Sequence, residues 1–577
     1  MLEKSRIYGF LIVGCCLSAG TITAQEFEAV VQGIQDRLSG KPVQITGGAG
    51  AQLSWYAAQG ISNRAVPLQG QANAYLNLDI LGIQAPFTLL ASTGGQAFNY
   101  TLPSFMLAGL SPQYRWATLH LGDRQMDLGK YTFSQHSFRG AGLELRPGNW
   151  RLRSFYGRLR RSQAQDLQAI NLLDPVFKRM GWGVQAGYEA QNSRLLATLF
   201  KAGDVVGSIS LPDSLPDFRP AENAILSVAG RQMLSKVIEL QGDWAFSGYT
   251  ADRSNPYSRD TSWSRNFAGL LPANLSTRWN QAWNAVLLFH TNFGQLNVSM
   301  ERIQPGYRTL GSLYFQDDLE NIAAGGKFSI FKKKALLALQ AGIQRNNLDL
   351  QQSNQYRRAI GSLLLQIQPG QEWSWNLNVS NFSNVNKLQA ILDPGNPVAT
   401  ASWRLVQSNA QAGFIRTTGK DLLKMWSGQL NWQRGVGIFN DEIQETSQSD
   451  LWMAYLSYQN QNSISRKNWG ASVNLQKQLI QGTDINGFRL SGNFGQSWRN
   501  DQYRLNGNAA LTHLLRKSDT GSGIGSWIGN LGVNGSWKVN THQELQLRGQ
   551  YLDLFGKRIE RPYREIRTQL QYNYLFK

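Results

Sequence analysis

Charge is what this chain has least of. Only 16% of its 577 residues are Asp, Glu, Lys or Arg, against roughly 25% in an average soluble domain. Apolar residues do not make up the deficit, because the mean hydropathy is −0.34. Asn, Gln, Ser and Gly fill it instead. That balance is odd for a soluble enzyme and suits a chain with one uncharged polar face and another in lipid. Cysteine is nearly absent: Cys15 and Cys16 are the only two. A disulfide framework is therefore excluded, and the rest of the chain has no thiol chemistry. After residue 25 no run approaches the roughly 18 apolar residues of a membrane-spanning helix. A membrane location would then require a closed β-barrel, the other structure that satisfies its backbone hydrogen bonds in lipid.

Motifs for chemistry are missing as well. The histidines, His120, His136, His290, His513 and His542, show no paired metal spacing, although His120 and His136 are near enough to approach across a hairpin. GGAGAQ at 47–52 lacks the Gly-Lys-Ser/Thr of a phosphate loop and reads as flexibility or close strand packing. There is no Gly-x-Ser-x-Gly elbow and no evident Ser/His/Asp set. The acidic stretch NDEIQETSQSD, with Asp441, Glu442, Glu445 and Asp450, lacks the Asp-x-Asp-x-Asp-Gly spacing of a calcium loop. The expectation is a protein that is not an enzyme and carries no cofactor or metal.

The N-terminus reads as an export signal. Lys4 and Arg6 give a basic start, Ile7 to Ala19 an apolar core, and Thr21 to Ala24 a small-residue cleavage site before Gln25. Ile12-Val13-Gly14-Cys15 also has the look of a lipobox, which would make Cys15 a lipidation site. The favoured division is a signal peptide at 1–24, a short segment at 25–50 and a barrel at 51–577.

What is present is period two. Side chains alternate across a strand, and WSWNLNVS sets Trp373, Trp375, Leu377 and Val379 against Ser374, Asn376, Asn378 and Ser380. Trp426 to Trp432, Phe488 to Phe494 and Trp527 to Trp537 repeat the pattern, and the spacing suits a strand of about ten residues plus a turn. The first half alternates less regularly, as in Ile238 to Ser247, with long polar connections at 203–223 and 249–281 as candidate surface loops. Lys332, Lys333 and Lys334 read as a charged turn. A soluble β-sandwich also alternates, but its polar faces would carry Lys and Glu rather than Asn, Gln and Ser. The 18 Trp, 20 Tyr and 25 Phe fit belts at two membrane interfaces. The fold expected is all-β: a single-domain transmembrane antiparallel β-barrel of about 18–26 strands after a cleaved signal peptide.

The last strand, RTQLQYNYLFK, alternates to its end and resembles the β-signal of bacterial outer-membrane proteins. Leu570, Tyr572, Tyr574 and Phe576 match its apolar face, and Lys577 departs from it, since the aromatic is usually last. The barrel also looks like large, mostly uncharacterised porin-like barrels of the Bacteroidota. The resemblance implies a cell outer membrane location, contact with its lipid and lipopolysaccharide, and handling by the barrel-assembly machinery. Residues 25–50 are too short for the plug of a TonB-dependent transporter.

The run from 139 to 161 concentrates arginine: Arg139, Arg146, Arg151, Arg153, Arg158, Arg160 and Arg161 stand against one acid, Glu144. Guanidinium forks suit carboxylate and phosphate. Facing a lumen, Arg139, Arg151, Arg153, Arg158, Arg160 and Arg161 would make an anion-attracting wall; on the outside they would snorkel or meet lipopolysaccharide phosphates. The formal charge of +19 favours an anionic partner, and export argues against nucleic acid. The expected function is a passive or substrate-selective pore with a basic lumen. The alternative is a barrel subunit that docks other envelope proteins in a secretion, surface-display or assembly complex.

Overall fold

The computed structural model describes residues 43–576 with gaps, the longest at 165–174, 211–217, 255–269 and 385–402. The signal segment, with Cys15, and the acidic residues Asp441 and Glu445 lie outside the described residues. All described pairings of the main sheet are antiparallel, and apart from two short pieces each strand pairs with the next one in the chain order of the sheet. The first strand, Val43–Gln59, pairs with the last, Tyr563–Phe576, so that the sheet closes on itself. The ring has 26 strands, the upper bound of the expected range. Two short pieces, Gln113–Tyr114 and Glu442–Ile443, bring the sheet to 28.

GGAGAQ lies within the first described strand, Val43–Gln59. Close packing explains its glycines. Gly47 has φ +126, and a Cβ there would stand 2.1 Å from the Tyr75 carbonyl oxygen. Gly47 also faces Phe576 across the seam, so the ring is drawn shut at a position that admits no side chain. Leu570, Tyr572 and Tyr574 sit opposite Leu53, Ala51 and Ala49 on the outward face of that seam, and the Tyr574 and Phe576 rings meet edge to face at 4.7 Å.

Alternation sorts the two faces. Leu531, Val533 and Trp537 project outward and are exposed, as are Trp426, Leu430, Trp452 and Trp469. Between them on the inward side lie Asn530, Asn534 and Ser536, and Ser427, Gln429 and Asn431. Hydroxyls and amides bond to one another there: Ser427 with Ser457 and Ser472 with Ser491, both at 2.6 Å, and Ser380 with Asn409 at 3.1 Å. An apolar outer band around a polar interior is the pattern of a barrel that stands in lipid. Short turns close the end of the barrel that carries Val43 and Phe576. Lys332, Lys333 and Lys334 form one of them, with φ of 55° and 68° at the first two. The opposite end carries the long connections.

Candidate functional site: a core inside the lumen

Two of those long connections fold into the barrel. The first, residues 126–136, follows the strand Ala117–Gln125, and the second, 304–312, follows Gly294–Ile303. They meet along a short parallel pairing of Phe133 with Gly311. The Ser134 amide donates to the Gly311 carbonyl at 3.1 Å, the Tyr307 hydroxyl to the Tyr131 carbonyl at 2.7 Å, and the Thr309 hydroxyl to the Thr132 carbonyl at 2.6 Å. Phe133, wholly buried, packs on Phe155 at 4.4 Å and Phe200 at 5.7 Å, and Phe138 stacks on Phe155 at 4.8 Å. With Met126, Leu128, Ile225 and Leu310 these rings form one apolar cluster in the lumen.

The wall is shaped to receive these straps. Gly183 faces inward, where a Cβ would meet Leu128 at 2.5 Å and Phe155 at 2.8 Å; at Gly311 it would meet the Thr132 carbonyl at 2.4 Å. Asn223, fully buried on the strand Glu222–Met233, ties wall to strap. Its amide donates to Ser247 and to the Gly248 carbonyl, both at 2.8 Å, while its carbonyl accepts from the Leu310 amide at 3.1 Å. Gln185 donates to the Leu128 carbonyl at 3.0 Å. Buried polar groups are satisfied throughout the junction, which fixes the straps in one position. Burial, with Glu301 beside it, pushes the Tyr131 hydroxyl up from its usual pKa. Burial among apolar rings, with Arg179 and Arg160 near, lowers that of His136.

The arginine run is divided between two faces. Phe138 and Phe155 point into the core, so the alternating residues Arg139 and Arg158, cross-strand partners, point outward. Arg139 binds Asp123 there at 2.7 Å. These two are placed on the lipid side rather than in the lumen. Arg151, Arg153 and Arg160 do face the lumen, and each is held by a carboxylate: Glu189 at 3.0 Å, Glu144 at 3.6 Å and Asp204 at 3.5 Å. Arg161 is exposed just beyond the strand end. Other charge clusters also lie on the outer face toward the long-loop end. Glu222 lies between Lys201 and Arg253, and Glu320 between Arg302 and Arg345.

His120 and His136 belong to different surroundings. His136 sits beside Phe133 at 5.8 Å between ring centres. His120 bonds Ser111 at 2.9 Å and Glu144 at 3.3 Å, which has the composition of a hydrolytic triad. The Ser111 amide, however, is engaged by the Pro86 carbonyl at 3.0 Å, and the next residue, Pro112, has no N–H. The two backbone donors nearest the hydroxyl are thus unable to form an oxyanion hole. Glu144 is shared with Arg146 at 2.8 Å, and the group reads as a lumen ion-pair network. Among the described residues no cluster of three His, Cys, Asp or Glu is placed to hold a metal.

The straps escaped sequence reasoning because they have no period. The available signal was aromatic residues within loop-like stretches, Tyr131 and Phe133 in MDLGKYTFSQH and Tyr307 in QPGYRTLG.

No family model matches the sequence, and none of the curated proteins is similar to it. Solved structures with a similar fold include the FrpB iron transporter from Neisseria meningitidis, at 10% identity over 94% of this chain and 84% of that one, TM-score 0.39. The ferric yersiniabactin uptake receptor FyuA from Yersinia pestis matches at 9% identity over 93% and 81%, TM-score 0.39. OccK11 (OpdR) of Pseudomonas aeruginosa matches at 11% identity over 62% and 91%, TM-score 0.27. Likenesses this distant say nothing about what this barrel handles.

Proposed function

We propose that the chain is an outer-membrane pore through which hydrophilic solutes diffuse along one side of the lumen. The observation that carries this is an asymmetry of the inner face. From Ser137 to Leu319 inward residues such as Phe155, Phe200, Ile225, Ala245 and Ala282 are buried under the straps. From Trp373 to the C-terminus the inward residues are mostly Asn, Gln, Ser and Arg, with Arg489, Arg548 and Arg567 exposed. A wall that no described strap packs against, lined with groups that hydrogen-bond to water, is what a diffusing solute requires. The straps then narrow the passage. The short-turn end, where the first strand starts and the last strand stops, faces the periplasm, and the long connections face out. That orientation puts the outer-face clusters around Glu222 and Glu320 at the level of the outer-leaflet phosphates. The lumen favours anions, in keeping with the formal charge of +19. Purified protein in a planar bilayer should give discrete conductance steps. A barrel that inserts, shows the heat-dependent mobility shift of a folded barrel and stays silent would overturn the pore and favour a docking role.

A further inference from the structure

The lumen's ion pairs are unevenly shared. The inward arginines that the sequence singles out, Arg151, Arg153 and Arg160, are matched by Glu189, Glu144 and Asp204. On the opposite wall, from Trp373 to Phe576, alternation turns Arg489, Arg504, Arg516, Lys538, Arg548 and Arg567 inward. Among the described side chains the carboxylates on that face are Glu544 and Glu565, and Glu565 is bound to Arg64 at 3.4 Å. The cross-strand neighbours of Arg489 are Asn474 and Thr512, and those of Arg548 are Asn534 and Gln569. Arg567 lies over the Tyr56 ring at 5.6 Å, between Gln550 and Tyr56. None of these three has a carboxylate partner among the described residues, and all three are exposed.

We infer that Arg489, Arg548 and Arg567 are the anion-selecting residues of the lumen, forming a lane along the C-terminal wall for hydrophilic solutes that carry a carboxylate or a phosphate. The inference rests on the pore reading. A guanidinium already bound to a carboxylate has its fork filled and its field cancelled at a distance. An unpaired one offers both to a passing oxyanion. The neighbouring Asn, Gln and Thr side chains supply neutral donors and acceptors, so an anion can shed water at one arginine and pass on without a deep trap. The lane lies where the straps do not reach, so charge and open path coincide.

The test compares Arg489→Gln/Arg548→Gln/Arg567→Gln with the unaltered barrel and with Arg158→Gln, which removes an outward arginine. Reversal potentials are read across gradients of potassium chloride, gluconate and phosphate. The unaltered barrel should prefer each anion to potassium, and gluconate against phosphate separates carboxylate from phosphate preference. The triple variant should lose about an order of magnitude in the anion-to-cation permeability ratio at moderate salt, where three fixed charges are partly screened. Arg158→Gln should leave the ratio unchanged. Conductance without anion preference, or a triple variant that keeps the preference, overturns the lane and leaves the pore standing. No conductance from the unaltered barrel removes the pore itself, and the lane with it.

Discussion

Replacing Phe133 by Ala isolates the straps from the wall. Phe133 is fully buried, and its ring meets Phe155 at 4.4 Å, Phe200 at 5.7 Å and His136 at 5.8 Å. Truncating a buried Phe costs about 3–5 kcal/mol. Part of that is the loss of aromatic pairing, about 0.5–1.5 kcal/mol per contact beyond area alone. No strand-ladder bond is touched, because the Phe133 backbone makes isolated bridges to Gly311 and Gly129 and accepts one turn bond from the Leu128 amide. The cost therefore falls on the docking of the straps. About 4 kcal/mol raises their opening equilibrium roughly a thousandfold, which is enough to open a unit of ordinary local stability. Phe133→Ala should show a larger and noisier single-channel conductance than the unaltered barrel. Proteolysis at Lys130, which sits on the strap bonded to Glu301, should become fast, while the temperature at which the barrel loses its heat-dependent mobility shift should hardly move. If Lys130 stays protected and conductance is unchanged, the internal core does not restrict the passage. If the barrel melts as a whole, the straps are part of the wall's cooperative unit.

Two more outcomes follow from the seam and the core. Gly47→Val puts a branched side chain where a Cβ already stands 2.1 Å from the Tyr75 carbonyl, at a φ of +126. The yield of inserted, heat-shifting barrel should fall several-fold, and the same substitution at Gly535, where a Cβ would meet nothing within 4 Å, should leave it intact. His136 is buried neutral with its pKa lowered, so the undocked strap binds more protons than the docked one as pH falls through the ordinary histidine range. Docking is then fully stable above about pH 6.5 and weakens below it. Proteolysis at Lys130 should accelerate on mild acidification, and His136→Phe should remove that dependence.

The wall was legible because lipid and water impose opposite demands on alternate residues. Trp527 to Trp537 and Leu570 to Phe576 announce their outward faces, and the closing pair of strands follows from them. The weaker alternation of the first half has a physical cause that the structure supplies. On Ser193–Asp204, Leu195 points to lipid while Phe200 and Ala202 point into the strap core. Both faces are apolar, so period two fades. The same cause hid the division of the arginines. In SFRGAGLEL the residue that fixes the phase is Phe138, and sequence gives no sign that this Phe points inward. The unpaired arginines of the C-terminal wall were equally obscure, since pairing depends on which carboxylates the ring brings across from other strands.

The straps also set an order of events. Tyr131 and Tyr307 are joined by a hydrogen bond that spans 176 residues of chain, and Thr132 and Thr309 by one that spans 177. Closing a loop of that length in a disordered chain carries a large entropic penalty for a handful of contacts. Once the strands between them are zipped, the wall itself holds the two segments within reach, and docking becomes a local step. The ring must therefore come first and its filling second. A newly closed barrel would then be wider than the mature one, and the straps would act as a delayed diaphragm, drawn in only after the frame has set.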